Sequence, residues 1–122
     1  KGSVFDCPTT RQHPVRDRNK QDYGMNELLR SEHYWTDYAG PGNILDVCHN
    51  VIFLVDIQYG TRCGITDSQV QRIDPRHNGG ANFLFVPGYV KWIKKGSGQV
   101  KRSNFTVYYV ITQPTAPDPV IW

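Results

Sequence analysis

His77, in the run Arg72-Ile73-Asp74-Pro75-Arg76-His77-Asn78-Gly79-Gly80, is the residue of this chain best suited to moving a proton. An imidazole titrates near neutrality, and the guanidinium of Arg76 beside it could steady the phosphorane formed when a ribose 2′-hydroxyl attacks its own phosphate. Metal-free RNA cleavage asks for a base, an acid and a cation, so a second partner is required. The sequence offers Glu32 and His33, or His49, for that part. His49 also lies three residues after Asp46, the spacing at which a helical carboxylate orients an imidazole. The same run has a plainer account: Asp74-Pro75 stops a helix, Asn78-Gly79-Gly80 supplies a turn, and His77 is an ordinary surface side chain.

A second chemistry is written in charge. Five of the fourteen basic residues, Lys91, Lys94, Lys95, Lys101 and Arg102, fall in KWIKKGSGQVKR, which has no acidic residue. From position 91 onward there are five basic residues against Asp118, whereas residues 1–90 carry nine basic against ten acidic. Phosphate binding needs several cations spaced along one surface, and Trp92 among them offers a ring on which an unpaired base can stack, an arrangement suited to single-stranded RNA. Lysines also protect an exposed strand edge from unwanted pairing, and Trp92 could instead point into the core. Strand alternation puts Lys91, Ile93 and Lys95 on one face and Trp92 with Lys94 on the other.

Other chemistries find little support. Cys7, Cys48 and Cys63 are scattered, with no Cys-x-x-Cys or His-x-x-x-His spacing, so no metal or cofactor is expected and the odd count allows at most one internal bridge. No Gly-x-Ser-x-Gly elbow, phosphate loop or dinucleotide fingerprint occurs. The longest apolar stretch, Val51 to Val55, is too short to span a bilayer, so no membrane partner is expected. The chain starts at Lys1, which suggests either processing or a chain trimmed of any signal peptide, and one local signal, the glycosylation acceptor triplet Asn104-Phe105-Thr106, favours a secreted protein.

These groups need elements to hold them. With 122 residues, fifteen of them aromatic, and 39% hydrophobic content, the chain fits one folded domain with a real core. Residues 1–24 lack an apolar period and read as an irregular arm. Met25, Leu28, Leu29 and Trp35 share one helical stripe, predicting a helix over 25–35. Residues 44–59 read as a short helix to about 49 followed by a strand, with one continuous helix as the rival. Thr66-Asp67-Ser68-Gln69 has the capping-box order and predicts a short helix ending before Asp74-Pro75. Phe83 to Val86 reads as a strand, Pro87-Gly88 as a kink, and Tyr89 to Lys95 as the first arm of a basic hairpin. Gly96-Ser97-Gly98 is its turn and Phe105 to Thr112 its second arm. Prolines at 114, 117 and 119 make 113–122 an extended tail.

The expected architecture is α+β: one or two N-terminal helices and a short middle helix packed on a three- to four-stranded antiparallel sheet. The expected function is a small basic protein that engages RNA or another polyanion, with a metal-independent ribonuclease toxin as its catalytic form. A non-catalytic secreted module recognising a carbohydrate or a host protein, and a structural subunit of an assembly, stand as alternatives.

Overall fold

β-Branched and aromatic residues are the majority in the strands Ile52–Asp56 and Val90–Lys94. The computed structural model describes residues 22–30, 49–58, 64–106 and 117–122, with only the backbone of Arg30. Within them lie β1 (Tyr23–Asn26), β2 (Ile52–Asp56), β3 (Gly64–Ile65), β4 (Gly80–Phe85) and β5 (Val90–Lys94). They make one five-stranded sheet in the order β3-β1-β2-β4-β5. It is mixed: β1 pairs β3 in parallel, and the other neighbours are antiparallel.

Alternation along the hairpin β4–β5 decides what faces the core. Ala81, Phe83 and Phe85 point inward, and across from Ala81 so does Ile93. They join Ile52, Val55, Ile57, Ile65, Ile73, Val100, Phe105 and Trp122 in one apolar cluster. Burying a large aliphatic or aromatic side chain is worth roughly 1.5–3 kcal/mol, so this cluster is the main favourable term holding the sheet.

The architecture corrects the expected α+β arrangement. Among the described residues no helix reaches seven residues, and the helical pieces are single 3-10 turns at Glu27–Arg30, Val70–Arg72 and Arg102–Asn104. The helix expected over 25–35 is replaced at its start by β1 and one 3-10 turn; positions 31–35 lie outside the described residues. Asn26 explains the replacement. Its buried amide donates to the Ile52 carbonyl at 3.0 Å and the Phe105 carbonyl at 2.8 Å, and its Oδ1 accepts the Leu28 N–H at 3.1 Å. A side chain that serves the backbone in this way competes directly with helical bonding.

The middle helix fails for a similar reason. Gln69 makes no side-chain cap, and the turn at Val70–Arg72 ends because Ile73 is extended and bridges Ile57. The Gln58 N–H bonds the Arg72 carbonyl at 2.9 Å and the Asp74 N–H bonds the Asp56 carbonyl at 3.0 Å, so sheet pairing claims the backbone that a longer helix would need. His49 and Asn50 form a turn, while residues 44–48 of the expected helix lie outside the described residues. The strand expected after it is β2, with a bulge between Ile52 and Leu54 that leaves Phe53 exposed.

The basic hairpin is also rearranged. Pro87-Gly88 is the turn of an antiparallel hairpin, not a kink, with the Gly88 N–H on the Phe85 carbonyl at 2.8 Å. Gly96 and Gly98 do turn the chain, with φ of 75° and 78°. Beyond them the chain leaves β5, and Lys101 bridges Val120 instead. Phe105 closes a 3-10 turn, and residues 107–112 of the expected last strand lie outside the described residues. The proline-rich tail is therefore a structural element over 117–122: Trp122 is buried edge-on against Phe83 at 5.4 Å.

Candidate functional site

Asn78-Gly79 fixes the position of His77. Asn78 and Gly79 have φ of 56° and 79°, the left-handed pair that a two-residue hairpin turn requires, and His77 and Gly80 exchange backbone bonds at 3.1 and 3.2 Å. That turn delivers His77 to the start of β4, on the sheet face opposite the apolar core. There its Nε2 lies 3.4 Å from Asp56 Oδ2.

Asp56 ends β2 and is fully buried. The same Oδ2 accepts the Asn82 N–H at 2.7 Å, whereas Oδ1 has no hydrogen-bond partner among the described residues. Burial pushes the Asp56 carboxyl above its usual range, against the opposing pull of the Asn82 N–H and of the positive charges at His77 and Arg76. A carboxylate held this way orients the imidazole.

Arg76 is placed differently from the role considered for it. Its side chain is 7% exposed and its guanidinium is spent inside: Nη1 lies 3.4 Å from the buried Asp22, Nε and Nη2 each 3.1 Å from Asp74 Oδ2, and Nη2 donates to the Ile57 carbonyl. Arg76 thus locks the 72–80 segment onto the strands and turns no donor fork toward an incoming phosphate.

Trp92 stands beside His77, and its indole N–H donates to the His77 carbonyl at 2.7 Å. The ring lies over Gly80, where a Cβ would sit 2.5 Å from Trp92 Cε2 and 2.6 Å from the Ile93 carbonyl oxygen. Trp92 nevertheless keeps 46% of its surface exposed. Lys94 is the register partner of Gly80 and shares the Trp92 face by alternation. Imidazole, indole and ammonium thus come together at one end of the β4–β5 hairpin.

The other expected residues scatter. His49 is exposed near the opposite end of β4, where its carbonyl accepts the Tyr89 hydroxyl at 2.9 Å. The six residues of β4 separate the two histidines by about 17 Å at roughly 3.4 Å per step. One phosphate cannot meet both. Glu32 and His33 lie outside the described residues, as do Cys7, Cys48 and Cys63. The basic cluster is divided by the sheet. Lys91 and Lys101 line a cavity on the core side of the β5 edge, Lys94 lies on the His77 face, Lys95 is exposed in the following turn, and Arg102 is bound to Asp67 at 3.0 Å.

Asp56 and Asp22 were missed by sequence reasoning. The available signal was an Asp inside VIFLVDI, since a charge within a buried strand must be paired or be costly. No helix among the described residues is long and apolar enough to cross a membrane. The chain has no significant match among protein-family models, curated proteins or solved structures.

Proposed function

We propose that this protein binds a single-stranded RNA-class polyanion across the end of the β4–β5 hairpin and cleaves it without a metal, as an exported ribonuclease toxin would. The observation that carries the reading is the Asp56–His77 contact beside the exposed indole of Trp92. In this scheme an unpaired base stacks on Trp92, a contact worth about 1–3 kcal/mol, and Lys94 neutralises the non-bridging oxygens of the phosphate. His77 takes the proton of the 2′-hydroxyl, whose oxygen bonds phosphorus as the bond to the 5′-oxygen breaks. The products are a 2′,3′-cyclic phosphate and a 5′-hydroxyl, the latter taking its proton from water, which fills the acid's part that the sequence offered to Glu32, His33 or His49. Asp56 holds one ring nitrogen, so proton exchange falls to the other.

Incubation of the purified chain with total RNA, with and without a chelator, tests this directly. Cleavage is expected in both arms, with DNA left intact because it lacks the attacking hydroxyl. His77→Ala should lower the rate by about 10²–10⁴-fold, the range of general acid–base catalysis, with an unchanged circular dichroism spectrum. Intact RNA after prolonged incubation, or equal cleavage by the variant, rejects the reading. Binding without cleavage that weakens steeply with salt would leave only the polyanion part.

A further inference from the structure

The cavity on the other side of β5 holds about 380 Å³ and belongs to different chemistry. Lys91 enters it from β5 and Lys101 from the segment after the Gly96–Gly98 turn. Both lysines are exposed, and neither has an ion-pair partner among the described residues. Several polar groups around them already have partners. Asn104 Oδ1 accepts the Lys101 N–H at 2.7 Å and its amide donates to the Asn50 carbonyl at 2.8 Å. Asp118 accepts from the Ser103 N–H at 2.9 Å and the Ser103 hydroxyl at 2.6 Å. Tyr89 is stacked on Phe85 at 4.8 Å and its hydroxyl is anchored on the His49 carbonyl.

We infer that this cavity is a site for a phosphorylated monosaccharide. Two cations on neighbouring walls match one phosphate, and ammonium–phosphate bonds are among the stronger hydrogen bonds. Asp118, still an acceptor on its remaining lone pairs, takes sugar hydroxyls, and the flat Tyr89–Phe85 pair gives the ring an apolar wall. The volume lies at the low end of the roughly 300–1,000 Å³ usual for small-molecule sites, too small for a long polymer to lie within it and sufficient for one sugar with its phosphate. The inference is independent of the ribonuclease reading, because Lys91 and Lys101 lie across the sheet from His77. The sugar phosphate could be free or could be the 5′ end of a polynucleotide.

Calorimetric titration of the whole chain with ribose 5-phosphate, ribose, inorganic phosphate, and oligoribonucleotides with or without a 5′-phosphate decides the matter. Ribose 5-phosphate should bind at least tenfold tighter than ribose or inorganic phosphate. Lys91→Gln and Lys101→Gln should each weaken it about tenfold, and His77→Ala should leave it unchanged. A preference for the 5′-phosphorylated oligonucleotide over both its 5′-hydroxyl form and ribose 5-phosphate assigns the site to a chain end; the reverse order assigns it to a free sugar phosphate. Equal affinity for ribose and ribose 5-phosphate, no heat at millimolar ligand, or indifference to both lysine substitutions in folded protein overturns the inference.

Discussion

The two ends of the β4–β5 hairpin use charge in opposite ways. At the His77 end, Asp22, Asp56 and Arg76 are withdrawn from water and matched with one another or with backbone groups, so they hold the segment in place. At the cavity end, Lys91 and Lys101 stay in solvent with no carboxylate within ion-pair distance among the described residues. Burial turns an ionic group into scaffold, because a partner lost in low dielectric leaves an uncompensated charge, whereas an exposed cation keeps its hydration and remains available to a ligand. The same residue types therefore carry different information depending on which end they occupy.

The largest effect that would break this contrast is expected from Arg76→Met. It removes the guanidinium that lies 3.4 Å from the buried Asp22 carboxylate and the donor to the Ile57 carbonyl, and should cost about 3–5 kcal/mol in urea denaturation, the usual range when one member of a buried pair is removed. A loss no greater than that of Lys91→Gln, measured alongside, would mean the two ends do not differ as argued.

Gly80→Ala comes next. The new methyl meets the Trp92 ring and the Ile93 carbonyl, and overpacking of this kind costs about 1–3 kcal/mol. It should also displace the indole, so Trp92 fluorescence would shift while the Lys91–Lys101 cavity binds as before. An unmoved emission spectrum would contradict the close packing of indole on Gly80.

The smallest and most diagnostic effect concerns pH. The folded-state pKa of Asp56 is raised, so the folded chain holds this proton more tightly than the unfolded chain does. Stability from this group is therefore greatest when it is protonated and falls as pH rises from its ordinary value of 3.8 through its raised folded-state value. The stability of the wild type minus that of Asp56→Asn should decline over that interval. A difference that grows with pH would show that pairing with His77 and Arg76 outweighs desolvation.

Part of this was legible in the residues alone. Asn78-Gly79-Gly80 announced a turn, the run from Val51 announced a strand, and alternation separated Trp92 and Lys94 from Lys91 and Ile93, as the structure has them. His77 was visible as an imidazole in a turn. Its partner was not, since Asp56 lies 21 positions away in sequence and meets it only through the pairing of β2 with β4. The helices failed where long-range bonds outcompeted local propensity. Asn26 reaches across 79 positions to the Phe105 carbonyl, and Ile73 leaves its turn to bridge Ile57.

By itself the sequence determined the local chemistry: where the chain turns, which side of a strand each side chain takes, and how unevenly positive charge is spread. These follow from steric limits on φ and ψ and from a side-chain period of two, which act within a few residues. Tertiary structure alone decided which charges became scaffold and which stayed at the surface. That choice depends on desolvation, and no residue is desolvated until distant strands close over it.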